Sequence, residues 1–231
     1  MAGLNRAYKR RGNAVALNGA PVLCLDAGSK ISYPGTGTAW TDISGNANNG
    51  TLVNGPTFDS ANGGNLVFNG TNQYSSTPLS LGGYTAFTIA TWIKTTVASK
   101  DIIATYGVSN IFELWLTATK YVALYVYGPG ATYRTSSVLV GTGSWVYCVG
   151  VYDGSTSTLN TYINGALSNG GLTGTIPTSV ATGASTVVIG NANLGGFYFN
   201  GSMGQVSIYN RALTATEVAT NFELLRGRYG I

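Results

Sequence analysis

The sequence predicts an all-β protein, a sandwich or a barrel, with one short helix at its C-terminal end. Short runs of β-branched and aromatic residues recur along the chain, and clusters of Gly, Asn, Ser and Asp separate them. This alternation of short strands and turns is typical of sandwiches and barrels. Only 9% of the 231 residues are charged and 33 are glycine, so neutral polar residues must supply the exposed faces and turns.

The chain divides into a basic N-terminal arm, residues 1–20, and one domain, residues 21–231, which ends in the helix and a basic tail. The arm lacks strand alternation and a well-formed amphipathic face, and it carries four cations and no acid. We expect this extended arm to dock on a partner chain, and a disordered tail is the alternative. The predicted docking residues are Arg6, Tyr8, Lys9, Arg10 and Arg11.

The strands are expected to follow one another with tight turns between them. Val22–Asp26 starts the first strand, and a loop rich in Gly, Ser, Thr and Asn follows over residues 28–50. Asn65–Phe68 and Gln73–Thr77 are predicted to pair as a hairpin across the turn at Asn69-Gly70-Thr71. The other strands outside the central hairpin are predicted at Phe87–Lys94, Asp101–Tyr106, Ile111–Thr117, Tyr121–Tyr127, Tyr133–Val140, Val187–Ile189 and Gln205–Tyr209.

The central hairpin, Trp145–Leu167, is the clearest element of the sequence. Its first strand is β-branched or aromatic almost throughout, which suits a strand with both faces covered. Asp153-Gly154 breaks this strand, and Asn164-Gly165 closes the second one because both residues tolerate a positive φ. The side chains expected to face inward are Ile89, Val149, Val151 and Ile163.

The helix is predicted to begin at Thr214 and to end at Leu225. Thr214 and Glu217 have the spacing of a capping box, in which each side chain bonds the backbone N–H of the other residue. Val218, Phe222 and Leu225 share one face at helical spacing. We therefore expect this face to pack against the sandwich.

Three stretches together resemble the laminin G-like branch of the concanavalin A-like lectin/glucanase superfamily. They are Leu25–Phe58, the hairpin Trp145–Leu167 and the segment Gly201–Val218, which contains the sequence YNRAL. The resemblance implies a jelly roll of two antiparallel sheets. The ending Asn221–Ile231 resembles the tails of laminin G-like proteins of tailed phages of marine bacteria and cyanobacteria, most of which are regarded as virion structural proteins.

This resemblance implies a non-catalytic structural protein at the virion surface, either a capsid decoration or cement protein or a component of a fibre. The arm would dock the domain on capsid or tail proteins within a larger assembly, and the jelly roll would adhere to host-surface glycans. A soluble carbohydrate-binding module or lectin is the main alternative, and a degenerate glycoside hydrolase is a remote one. The cations cluster at the two termini, and no apolar run approaches the ~20 residues of a membrane span, so neither nucleic acid nor membrane is an expected partner.

The residues argue against catalysis. The chain has no histidine, which excludes a Ser-His triad and histidine metal sites. The clustered Glu-x-Asp-x-x-Glu pattern of the superfamily's glucanases is absent, and Glu217 and Asp153 are better explained as a helix cap and a turn residue. No cofactor is expected.

Calcium is the one metal that the sequence raises, and the residues argue against it. Asp42 with the backbone carbonyls of its loop could hold the ion, but an aspartate that caps its own turn is favoured. The Asp-Glu pair that often precedes YNRAL in the family is replaced by Gly204 and Gln205, which argues against a calcium site at the sandwich rim.

Glycan binding would use exposed aromatic rings that stack on sugar faces. Several aromatic residues lie in or beside the predicted loops, although burial in the core is the alternative for each. The candidate residues are Tyr33, Trp40, Tyr127, Tyr133 and Tyr198.

Overall fold

A computed structural model of the protein confirms a β-sandwich of two antiparallel sheets with one C-terminal helix. The structure describes residues 17–98, 100–107, 111–140, 143–183, 185–191 and 197–231. The arm's predicted docking residues Arg6, Tyr8, Lys9, Arg10 and Arg11 lie outside this part of the chain, so their role stays a prediction.

Seventeen strands form within the described residues, and most correspond to predicted runs. The strands are β1 Leu23–Asp26, β2 Ala39–Trp40, β3 Gly50–Val53, β4 Thr57–Asp59, β5 Asn65–Asn69, β6 Tyr74–Ser76, β7 Ala86–Lys94, β8 Lys100–Gly107, β9 Phe112–Leu116, β10 Tyr121–Tyr127, β11 Ala131–Leu139, β12 Trp145–Asp153, β13 Thr158–Ile163, β14 Ala166–Leu167, β15 Asn169–Thr173, β16 Ser185–Ile189 and β17 Asn200–Tyr209. The helix α1 spans Ala215–Tyr229.

Eight strands form one sheet and nine form the other. The eight-stranded sheet has the order β14-β13-β12-β7-β17-β5-β4, and β1 also pairs with β17. The nine-stranded sheet has the order β15-β11-β10-β9-β8-β16-β6-β3-β2. The predicted meander forms its middle, because β8 to β11 pair in sequence order.

The predicted hairpin across Asn69-Gly70-Thr71 is wrong. β5 pairs with β17 in the eight-stranded sheet, whereas β6 pairs with β16 and β3 in the nine-stranded one. The turn itself forms, since the Asn69 Oδ1 accepts the N–H of Thr71 at 2.9 Å. Turn residues specify a reversal but not the partner strand, so this turn carries the chain from one sheet to the other.

The main core lies between the two sheets, and it corrects two of the four inward predictions. Ile89 and Ile163 belong to this core. Val149 and Val151 are buried on the opposite face of the eight-stranded sheet, beneath α1. Because β12 is buried on both faces, its apolar pattern could not tell which face points to the other sheet. Between these two valines Gly150 faces inward, where an added Cβ would lie 2.9 Å from Leu124.

A second core joins α1 to the outer face of the eight-stranded sheet. The predicted capping box is present, with Thr214 as the N-cap and Glu217 bonded to its backbone. The helix continues one turn beyond its predicted end because Tyr229 stacks on Trp92, with ring centroids 4.2 Å apart. It ends at Gly230, whose φ of 74° suits glycine. No helix in this part of the chain is long and apolar enough to cross a membrane.

The pH dependence of stability should reveal the ion pair at the start of α1. The guanidinium of Arg211 binds the carboxylate of Glu217 and lowers the pKa of that carboxylate from 4.5 to about 2. A pKa that is depressed in the folded state stabilises the fold above pH 4.5, and this stabilisation is lost as pH falls towards 2.

We expect Glu217→Gln, which keeps the cap but not the charge, to lower the free energy of unfolding by about 1 kcal/mol at pH 7, since the pair is partly exposed. Chemical denaturation should show this difference shrink between pH 4.5 and pH 2. A difference that stays constant over that range would show that the ion pair is not its source.

Candidate functional site

Two of the predicted glycan-binding residues are structural, which corrects their assignment. Trp40 is fully buried in the core between the sheets. Tyr33 is 3% exposed, its hydroxyl donates to the carbonyl of Gly37 at 3.0 Å, and its ring packs on Phe58. Sequence position beside a loop did not distinguish these rings from exposed ones, because this loop folds back over the sheet edge.

Tyr127 and Tyr133 come together on the outer face of the nine-stranded sheet, with Tyr125 between them. Tyr125 pairs directly across from Tyr133, and their ring centroids are 4.5 Å apart at 24° between planes. Tyr125 and Tyr127 lie two residues apart on β10, with centroids at 6.4 Å and 20° between planes. The three rings are nearly parallel and half-buried, so part of each remains accessible to a ligand.

Glu113 adds a carboxylate to this group. It lies across from Tyr125 in the pairing of β9 with β10. Partial burial raises the pKa of Glu113, and a hydrogen bond from the Tyr127 side chain acts in the opposite direction. Burial, followed by the neighbouring Tyr133 and Glu113, raises the pKa of Tyr125. We refer to the group Glu113, Tyr125, Tyr127 and Tyr133 as the tyrosine face.

Further aromatic residues extend along the same side of the sheet. Trp115 on β9 meets Phe197 edge-on, with centroids 5.2 Å apart, and Phe197 is 45% exposed. Tyr198, the remaining predicted residue, lies 6.5 Å from Tyr74 on β6. Because four strand spacings separate β6 from β10, this second pair is roughly 19 Å from the tyrosine face.

Two clefts lie near the rims of the sandwich. One of about 420 Å³ opens at the tip of the hairpin that carries the tyrosine face, between Pro129–Thr132 and Gly174–Pro177. Another of about 400 Å³ lies beside Lys30, Phe58 and the edge of Tyr33. The first cleft adjoins the tyrosine face in sequence and in strand order, so the two could hold successive parts of one extended ligand.

Asp42 has no oxygen available for a cation. Its Oδ1 accepts the N–H groups of Cys24 and Ser44, and its Oδ2 accepts the Ser44 hydroxyl and the Asn48 N–H. These donors occupy the directions from which a calcium ion would be bound. The aspartate therefore organises its own turn, which was the favoured reading of the sequence.

The other carboxylates with described side chains, apart from Glu113, also have structural partners. No group of three or more Cys, Asp or Glu side chains suited to a metal ion occurs among the residues that the structure describes. The pairs are Asp26 with Arg228, Asp59 with the Ala61 N–H, Asp153 with Ser155, Glu217 with Arg211, and Glu223 with Arg226.

The departure from the family pattern at Gly204 also has a structural cause. An added Cβ at Gly204 would lie 2.0 Å from the phenol oxygen of Tyr229. Glycine at this position lets the last turn of α1 lie close against β17. The loss of the acidic residue therefore accompanies the packing of the helix.

The sequence analysis missed Tyr125, Trp115 and Glu113, although a signal for them is present. In β9 and β10 the apolar residues of one face are buried in the core. The alternate positions, which face outward, carry Trp115, Tyr121, Tyr125 and Tyr127. Aromatic residues repeated on the outward face of a strand are a recognition signal, because solvent-facing positions need no such residues for packing.

Comparison with known proteins supports the lectin-like architecture. The family model Laminin_G_3, described as concanavalin A-like lectin/glucanases superfamily, matches residues 68–219, which is more than half of the chain. No curated protein sequence matches the chain.

Several solved structures share the fold. Domain 4 of AbnA, an extracellular arabinanase from Geobacillus stearothermophilus solved with arabinotriose, is 17% identical with a TM-score of 0.67, covering 88% of this chain and 98% of that one. The binding domain of Paraclostridial Mosquitocidal Protein 1 is 16% identical with a TM-score of 0.67, covering 88% and 52%. The binding domain of Botulinum Neurotoxin DC in complex with SialylT is 12% identical with a TM-score of 0.69, covering 89% and 52%. The chain thus spans about half the length of these toxin domains, and at such identities the likeness concerns the fold alone.

Proposed function

The chain belongs to the concanavalin A-like lectin/glucanases superfamily, and from this premise we propose that it is a non-catalytic glycan-binding module whose binding site is the tyrosine face. A sugar ring would stack on the accessible parts of Tyr125 and Tyr133, while Glu113 accepts hydrogen bonds from its hydroxyl groups. Recognition of this kind combines flat apolar surface with a few fixed polar groups.

The observation that carries this proposal is the difference between the two outer surfaces of the sandwich. The outer face of the eight-stranded sheet is covered by α1 and forms a second core. On the nine-stranded sheet, Tyr125, Tyr127 and Tyr133 keep their side chains half-buried and nearly parallel. A stack of aromatic rings that supports no second core is best explained as a ligand surface.

The roles of the acidic residues support binding rather than hydrolysis. Hydrolysis by paired carboxylates needs two of them close together at the sugar. Among the described side chains, Glu113 is the only carboxylate on the tyrosine face, and the others have the structural partners named above. A single carboxylate can orient a sugar but cannot serve as both nucleophile and acid.

A glycan array tests this proposal directly. The fluorescently labelled protein should bind a defined subset of immobilised oligosaccharides, and a Tyr125→Ala, Tyr133→Ala double variant should bind none of that subset. Incubation with the bound oligosaccharides should release no reducing ends. Binding that survives in the double variant would move the site elsewhere, and release of reducing ends would overturn the non-catalytic assignment.

We further propose that the module is displayed on the surface of a virus particle, anchored by its N-terminal arm. The course of the chain where it enters the domain supports this. Leu17 packs against the core beneath α1, and the Asn18 N–H donates to the Asn221 side chain at 2.8 Å. The arm therefore leaves the domain on the helix side, so an anchored arm would leave the tyrosine face pointing outward.

Deletion of residues 2–16 tests the anchor. The cores of the described residues begin at Leu17, so we expect the melting temperature to change little while incorporation into purified particles is lost. A full-length variant with Gln at Arg6, Lys9, Arg10 and Arg11 is the matched control that separates charge from chain length. Incorporation of the deleted form at wild-type occupancy would contradict the anchor.

A further inference from the structure

Glu113 gives the tyrosine face a charge that stacking alone does not require. Its carboxylate lies directly across from Tyr125 in the strand register. A side-chain hydrogen bond with Tyr127 holds it beside the rings. Any sugar that stacks on Tyr125 therefore lies within a few ångströms of this carboxylate.

No described cation balances Glu113 on this face. Arg134 sits opposite the core residue Leu124, on the other face of β11, and its guanidinium donates to the carbonyl of Gly170 at 3.2 Å. Lys120 lies in the turn between β9 and β10, about four residues along the strands from Glu113. This separation is roughly 13 Å, which exceeds the screening length of about 8 Å at physiological salt.

We propose that Glu113 makes the tyrosine face selective for uncharged glycans and excludes sialylated, uronic and sulfated ones. This inference rests on the proposed glycan-binding function. A neutral sugar offers hydroxyl groups that donate to the carboxylate. An acidic sugar in the same position places a second negative charge beside it, in surroundings that are partly shielded from water, and such like-charge contacts discriminate strongly between ligands.

The test compares glycans that differ only in charge. Suitable probes are N-acetyllactosamine with its sialylated form, and oligogalacturonides with their methyl esters, printed on the array and titrated in solution when bound. We expect the wild-type protein to prefer the neutral member about tenfold or more at low salt. Glu113→Gln should bring the ratio close to one, and 0.5 M NaCl should reduce the wild-type ratio without any substitution.

Each outcome decides a different claim. Equal binding of both members by the wild-type protein overturns the selectivity, and so does a ratio that Glu113→Gln leaves unchanged. The salt dependence of the wild-type ratio remains decisive if the variant fails to fold. A protein that binds glycans without charge preference retains the proposed function but loses this inference, whereas a protein that binds no glycan on the array loses both.

Discussion

Replacing Tyr125 by alanine should weaken glycan binding about 30-fold. The ring of Tyr125 is the centre of the tyrosine face, because it stacks on Tyr133 at 4.5 Å and on Tyr127 at 6.4 Å. Its removal takes away one stacking surface and lets the two remaining rings change orientation. Loss of a central aromatic anchor typically costs about 2 kcal/mol of binding free energy, which corresponds to roughly 30-fold in Kd.

Isothermal titration with an array-selected oligosaccharide measures this effect, and two controls make it specific. Tyr121→Ala changes a tyrosine on the same face of the same strand, four residues away, and should leave the Kd within about threefold. Tyr125→Phe keeps the ring and should retain most of the affinity. If Tyr198→Ala proves more damaging than Tyr125→Ala, the binding site is the second aromatic pair and not the tyrosine face.

Replacing Arg228 by alanine should lower the free energy of unfolding by about 3–5 kcal/mol. The Arg228 guanidinium binds the carboxylate of Asp26 at 2.7 Å and donates to the carbonyls of Asn62 and Gly64. The Asp26 side chain is only 1% exposed and that of Arg228 is 18% exposed. Breaking a buried pair from one side leaves the other charge unpaired away from water, which is why the expected cost is large.

Arg226→Ala provides a matched control on the same helical turn. Arg226 pairs with Glu223 three residues earlier, and the two side chains are 45% and 63% exposed. Exposed pairs of this kind contribute about 0–1 kcal/mol. Chemical denaturation of the two variants should therefore separate them by several kcal/mol, and similar losses in both would show that burial of Asp26 does not govern the contribution of Arg228.

The sequence predicted those parts of the fold that local pattern decides. The capping box at Thr214 and the Asn164-Gly165 turn formed as expected, because each depends on residues close together in the chain. The hairpin across Asn69-Gly70-Thr71 and the inward faces of Val149 and Val151 were wrong. Both depend on which sheet or helix covers a strand, and a strand that is buried on both faces carries no record of that choice.

The candidate site was predicted only in part for a related reason. Tyr127 and Tyr133 were chosen because they lie beside loops, but the same criterion selected Trp40, which is buried. Tyr125 was missed because it lies in the middle of a strand. Strand register, which brings Tyr125 opposite both Tyr133 and Glu113, is a long-range property that one sequence does not reveal.

A crystal structure of the protein with the oligosaccharide that binds tightest on the array tests the central claim most directly. We predict a sugar ring stacked over Tyr125 and Tyr133, with a hydroxyl group within hydrogen-bond distance of the Glu113 carboxylate. A sugar bound instead in the cleft beside Lys30 and Phe58, or against Tyr198, with the tyrosine face unoccupied, would contradict it.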